Sequence, residues 1–119
     1  MINKKDIGDF GENIAVEYLI HDGYTILDRN YRTRIGEIDI IVSKGGLLCF
    51  VEVKTRYNCK FGFPCEAVNN KKRNTIMEIS LWYMCSKKLH KYNVRFDVIE
   101  ILLNYADDSY SINHLIDAF

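Results

Sequence analysis

The sequence predicts an α/β domain in which one mixed β-sheet is flanked by helices, in the order α-β-β-β-α-β-β. Two stretches repeat apolar residues at helical spacing, and the runs between and after them are β-rich and broken by glycine or polar turns. The second helical stretch also lies between two strands, an order that favours a right-handed parallel crossover and puts the early hairpin and the later strand in one sheet. Residues 1–119 read as a single domain, because that length suits one core and no linker, repeat or low-complexity stretch divides it.

Residues 4–21 carry Ile7, Phe10, Ile14 and Tyr18, with Ala15 and Leu19 alongside, so they form a helix that Gly23 can cap. Tyr24 to Tyr31 reads as a strand, and Glu37 to Ser43 and Leu47 to Thr55 as two more, joined as a hairpin through Lys44-Gly45-Gly46. After a loop from Arg56 to Cys65, the residues Val68, Ile76, Ile79 and Tyr83 keep helical spacing through Lys87. Asn93 to Leu103 is a β-rich run and Tyr110 to Ile116 a weaker one.

Composition narrows the function classes. With 48% hydrophobic, 13% aromatic and 27% charged residues and one proline, the chain is an ordered protein and not a disordered tail. No apolar run approaches the ~20 residues that span a bilayer and the first ten residues lack a signal-peptide core, so a cytoplasmic location away from membranes is expected. Cysteines 49, 59, 65 and 85 match neither the C-x-x-C pairs of a structural zinc site nor a disulfide framework, and read as reduced thiols. Histidines 21, 90 and 114 are too scattered for a local metal motif and read as surface or terminal residues.

Sixteen basic and sixteen acidic side chains cancel, which argues against a general nucleic-acid coat protein. Their distribution is uneven. From Lys54 to Arg73 there are six bases (Lys54, Arg56, Lys60, Lys71, Lys72, Arg73) and one acid, Glu66; from Asp97 onward there are five acids and no Lys or Arg. One end of the molecule can therefore face phosphates, although an ordinary solvated loop and helix surface produces the same run.

The candidate chemistry lies in the hairpin. In the second strand Glu37, Asp39 and Ile41 alternate with Ile38 and Ile40; in the third, Phe50, Glu52 and Lys54 share a face opposite Val51 and Val53. With Gly45 and Gly46 as the central turn residues, Lys44 faces Leu47, and counting back along both strands sets Asp39 opposite Glu52 and Glu37 opposite Lys54. Directly opposed carboxylates repel unless a cation lies between them. Mg²⁺ or Mn²⁺ resolves that repulsion, since such ions take one or two carboxylates and fill the remaining positions with water and substrate phosphate; the Val53 carbonyl is a further oxygen donor. Lys54 would then orient a water or stabilise charge on a phosphate. The alternative is an exposed sheet edge where Glu37 and Lys54 form a surface ion pair, but the apolar flanks IDII and LLCFVEV make this hairpin central, where unpartnered carboxylates are costly.

Glu12 sits on a largely apolar line of the first helix, either as a further metal or water ligand or as a helix-edge glutamate. Lys72 lies on the apolar stripe of the second helix and either reaches the site or snorkels to solvent. Arg29, Arg32 and Arg34 precede the acidic strand, and Tyr57, Phe61 and Phe63 interleave with bases in the following loop. Such a mixture suits a nucleic-acid strand, with Arg32, Arg34, Arg56, Lys71 and Arg73 as phosphate-contacting candidates; alternatively the aromatics pin the loop to the core.

The segments GENIAVEYL, GYTILDRNYRTRIGEIDII, LCFVEVKTR, FGFPCEAV and the closing DAF resemble the YraN-like family of bacterial proteins, itself similar to the PD-(D/E)XK nuclease superfamily, nearly end to end. The resemblance implies a restriction-endonuclease-like core, a metal role for Asp39 and Glu52, a catalytic-lysine role for Lys54 and an acidic first-helix role for Glu12, with Glu37 and Lys72 as further matches. The chain has Asn69-Asn70 where the family pattern has a Thr-Pro helix start, which leaves that helix boundary open. The expectation is a Mg²⁺- or Mn²⁺-dependent endonuclease acting on DNA, on branched or single-stranded forms in repair or recombination. A non-catalytic nucleic-acid-binding or assembly module and an RNA-processing nuclease are the alternatives, and a homodimer is compatible with any of them.

Overall fold

Helical spacing of the apolar residues gives α1 (Lys4–His21), which buries Ile14, Ala15 and Leu19. The computed structural model describes residues 4–58, 69–104, 106–107 and 109–119. Gly23 ends the helix: its N–H donates to the Ile20 carbonyl at 3.0 Å and the Tyr24 N–H to the Leu19 carbonyl at 2.9 Å, the paired bonds of a Schellman cap. Then come β1 (Thr25–Thr33), β2 (Gly36–Lys44), β3 (Leu47–Asn58), α2 (Asn70–Lys87), β4 (Asn93–Asn104) and β5 (Tyr110–Leu115), the element order that the sequence predicts.

The sheet is mixed and its strands stand in sequence order, β1-β2-β3-β4-β5. Only β3 and β4 run parallel, paired from Leu47↔Asn93 to Asn58↔Asn104, and this full-length ladder carries β3 beyond the expected end at Thr55. The hairpin between β2 and β3 turns on Gly45 and Gly46; Gly45 has φ +58, a left-handed value that a residue with a Cβ adopts at a cost. At the start of α2, Asn69 is the N-cap, accepting the Lys72 N–H on its Oδ1 at 2.9 Å, so the asparagine pair provides the helix start that the Thr-Pro pattern would otherwise supply. Val68, read from its spacing as part of that helix, lies outside the described residues.

Each face of the sheet carries its own core. Ile14, Ala15 and Leu19 of α1 cover Ile40, Val42, Cys49, Val51, Ile99 and Ile101, while Ile76, Ile79 and Tyr83 of α2 cover Ile38, Ile41, Leu48, Phe50 and Val98. The chain end folds onto the second core: the Ala118 N–H donates to the Phe96 carbonyl at 2.7 Å and Phe119 stacks on Phe96 with ring centroids 5.2 Å apart. Among the described residues no helix is long and apolar enough to cross a membrane.

One expectation about the strands is corrected. Strict alternation puts Ile38 and Ile40 on one face, but Ile38 packs under α2 and Ile40 under α1, so β2 changes face at Asp39. The change coincides with Asn30 of β1, which stands between the pairs Arg29↔Ile40 and Tyr31↔Ile38 with φ +52. A left-handed residue turns the following side chains over, and asparagine tolerates that conformation better than most. Asp39 is thereby left at the crossing point of the two faces.

Candidate metal centre

The ladder between β2 and β3 keeps the predicted register from Lys44↔Leu47 to Ile40↔Val51 and stops there. Asp39 and Glu52 are the next residues on each strand, so both carboxylates stand where the strands part. Asp39 Oδ2 accepts the Val53 N–H at 2.8 Å, and the side chain thus takes the place of a strand carbonyl. In an extended strand the N–H and C=O of one residue point to the same edge, which directs the Val53 carbonyl into the same gap.

Glu52 is 2% exposed, and its Oε1 is shut off from solvent without a hydrogen-bond partner among the described residues. Burial, then a hydrogen bond with Asp39 and the repulsion between the two carboxylates, pushes its pKa up to about 9, although Lys72 and Lys54 pull the other way. Burial thus favours the protonated form of this carboxyl. Lys54, half-buried on β3, is moved below the ordinary lysine range by burial and then by a hydrogen bond with, and repulsion from, Lys72. Two carboxyls and two ammonium groups therefore meet at one point, supplied by β2, β3 and α2.

Glu12 approaches from the other layer. Its pKa is raised by partial burial and next by the charge of Asp39, with Arg29 and a hydrogen bond from Asn30 opposing. The helix comes this close because residue 11 is glycine: a Cβ there would overlap the Thr55 side chain on β3. Lys71 and Lys72 line a cleft of about 350 Å³ together with Glu37, Asp39 and Glu52.

Not every expected residue converges. Because the ladder ends at Ile40↔Val51, Glu37 does not pair with Lys54; its Oε2 accepts from Arg32 Nε at 3.0 Å in an exposed ion pair on the rim. Arg34 lines a neighbouring cleft, and Arg73 lies over the Phe119 ring at 5.8 Å. Arg56 follows Lys54 on β3. Lys60, Phe61, Phe63 and cysteines 59 and 65 lie outside the described residues; Cys49 is a buried thiol and Cys85 an exposed one.

Among the described residues no group of three or more His, Cys, Asp or Glu side chains stands close enough to hold a metal ion. The donors on hand are two carboxylates and a backbone carbonyl, which is too few for a closed zinc site but fits a hard cation that completes its shell with water and phosphate. The oxygen of Glu52 that lacks a partner is the observation favouring that fit, since a buried polar atom is rarely left unpaired.

A second polar cluster is invisible in the sequence reading. His114, read there as a surface or terminal residue, has a side chain only 7% exposed, with Nε2 2.7 Å from Asp97 Oδ2 and Nδ1 3.0 Å from the Tyr18 hydroxyl. Arg95 donates to Asp97 from Nε and Nη2 at 2.8 Å each, and also to the Tyr24 hydroxyl at 2.7 Å. Burial alone would raise the Asp97 pKa, but hydrogen bonds from His114, Arg95 and the Asp117 N–H outweigh it and hold the carboxyl far below the usual range. The signals in the sequence were an acid inside the apolar run FDVIEILL and Arg95 two residues before it on the same strand; His114 and the Asp117 N–H come from β5 and the segment that follows it.

Residues 11–101 match the family described as "Uncharacterised protein family UPF0102". A UPF0102 protein of Clostridium kluyveri is 53% identical over 115 residues, covering 97% of this chain and 94% of its own length. UPF0102 proteins of Clostridium acetobutylicum and Clostridioides difficile are each 48% identical over 118 residues, covering 99% of this chain and 96% and 100% of their own lengths.

Proposed function

This chain belongs to the UPF0102 family, and from that premise we propose that it is a Mg²⁺- or Mn²⁺-dependent endonuclease that hydrolyses DNA phosphodiester bonds. The observation that carries the reading is the buried, unpaired Oε1 of Glu52 beside the Asp39 carboxylate where β2 and β3 part, with Lys54 and Lys72 at the same point. The likeness of its motifs to PD-(D/E)XK nucleases supports it. Asp39, Glu52 and the Val53 carbonyl would hold the cation, which when bound supplies Lewis-acid polarisation of a phosphoryl oxygen and a more acidic water.

The chain's own groups do the rest. With a cation bound, Glu52 would be held as the carboxylate, its proton released to solvent, and both it and Asp39 would be oxygen donors. Lys54 places positive charge where a phosphate gains negative charge in the transition state, and its lowered pKa lets it exchange a proton nearer neutral pH than an ordinary lysine. Lys72 shares that charge, and Lys71 on the cleft wall attracts the polymer backbone. The backbone bond to Asp39 and the packing around Glu52 fix both carboxyls in advance, so little reorganisation accompanies binding. Glu12, on the far side of Asp39, positions that carboxylate through its charge.

The test is incubation with linear, nicked, flapped and four-way DNA in Mn²⁺. Metal-dependent cutting that disappears in Asp39→Ala and in Lys54→Ala is expected; no cutting of any substrate, or cutting that survives both substitutions, overturns the reading. One observation favours a second reading, a non-catalytic nucleic-acid-binding module: Asp39 already has a backbone partner, and among the described residues no third metal-ligating side chain joins the two carboxylates. Such a module binds DNA equally in EDTA and in Mn²⁺ and cuts nothing. Replacing the DNA panel with RNA of matching shape separates a DNA from an RNA substrate.

A further inference from the structure

A second cleft adjoins the metal centre and has no part in the chemistry above. The turn between β1 and β2 crosses α2, with the Gly36 backbone close to Thr75 and Ile79. Beside that crossing is a cavity of about 260 Å³ lined by Thr33, Arg34, Ile35, Glu78, Ile79 and Trp82. Ile35 also lines the cleft of Asp39 and Glu52, so the two spaces meet along that residue. Trp82 is 64% exposed and Ile35 51%, an apolar pair left in water next to cations.

The volume lies below the roughly 300–1,000 Å³ of pockets that enclose a drug-sized molecule, which suits one planar ring system. An indole offers a flat face to such a ring, and Glu78 at the wall can accept a hydrogen bond from a ring N–H or an exocyclic amine. Arg34 at this cleft and Lys71 and Lys72 at the next carry the charge that a phosphate backbone requires. An apolar protein segment would use the indole but offer nothing to Arg34 and Lys71, whereas Lys72 already faces Glu52.

We propose that this cleft stacks one unpaired nucleobase on Trp82 while the phosphates of the same strand pass Arg34, Lys71 and Lys72 toward Asp39 and Glu52. The inference rests on the nuclease reading and deepens it, since it names the local form of the substrate as single-stranded. An internal paired base cannot enter, because stacking on Trp82 requires it to leave its own helix.

Trp82 is the only tryptophan of the chain, so its emission reports this indole, which borders both this cleft and the hollow it forms with Leu81, Cys85 and Ser86. The full chain in EDTA is titrated with a labelled single-stranded oligothymidylate and with blunt duplex, following label anisotropy and tryptophan emission together. Emission should be quenched in step with single-strand binding and left unchanged by duplex. Trp82→Ala should weaken single-strand binding about tenfold, while Trp82→Phe keeps most of it. Binding without quenching, at equal affinity in Trp82→Ala, overturns the base site and leaves the metal reading untouched. Emission that changes with protein concentration alone, with a doubled mass in sedimentation, overturns it in favour of a contact between two copies of the chain. If neither oligonucleotide binds, the nucleic-acid reading falls as well, whereas loss of Mn²⁺-dependent cutting with binding intact removes only the catalytic part.

Discussion

Glu52 and Asp97 are carboxyl groups buried in one sheet, and their surroundings drive them in opposite directions. Glu52 is buried and faces Asp39, so its pKa rises from 4.5 to about 9, and among the described residues its Oε1 has no partner. A folded-state pKa above the unfolded value means that stability is fully present below pH 4.5 and is lost as pH rises toward 9. In EDTA the melting temperature of the wild type should therefore fall between pH 5 and pH 8 more steeply than that of Glu52→Gln. At pH 8, Mn²⁺ should raise the wild-type melting temperature and leave Glu52→Gln and Asp39→Ala unmoved; equal shifts in all three would place the ion elsewhere. Asp97 is depressed by His114 and Arg95, so its contribution is present above 3.8 and is lost as pH falls through the depressed value. Asp97→Asn leaves the Arg95 guanidinium without its counter-charge and should cost about 3–5 kcal/mol in urea unfolding, with a flatter acid limb. Undiminished stability would show that the cluster is not an energetic unit.

Two elements set the geometry of the site, and one of them was legible. The Lys44-Gly45-Gly46-Leu47 turn pins the register of β2 against β3, because a two-residue loop with a left-handed glycine permits one pairing, and so the adjacency of Asp39 and Glu52 can be counted from the sequence. The face change at Asp39 could not be counted. It coincides with a left-handed Asn30 on a neighbouring strand, and nothing in the alternation of residues 36–44 records it. The His114–Asp97 bond was hidden for a similar reason, since it joins two strands whose pairing the sequence left open. The approach of α1 to β3 also depends on a feature that periodicity ignores, the missing Cβ of Gly11 against Thr55. Gly11→Ala should lose about 1–3 kcal/mol through overpacking and push Glu12 away from Asp39. The double variant Gly11→Ala with Thr55→Gly should recover most of the stability; failure to recover would mean that residue 11 acts through helix geometry and not through this contact.

Across the whole molecule the zero net charge conceals a division. Lys54, Lys71 and Lys72 gather at the cleft of Glu37, Asp39 and Glu52 and Arg34 at its neighbour, while the acids at 97 and 100 that follow in sequence are buried in the sheet. A neutral protein of this kind should bind a strand through few phosphate contacts, with an affinity that falls with salt but far less steeply than that of a basic coat protein. Each contact to a single strand contributes roughly 0.7 to the slope of log affinity against log salt. Lys71→Ala should reduce that slope by roughly one such step and weaken all sequences alike, whereas Trp82→Ala should weaken binding and leave the slope where it was. Measured in EDTA over a series of salt concentrations, the two variants separate charge from stacking. A slope unchanged by Lys71→Ala would mean that the strand follows a different path across the molecule, one that does not cross the mouth of the cleft formed by α2, β2 and β3.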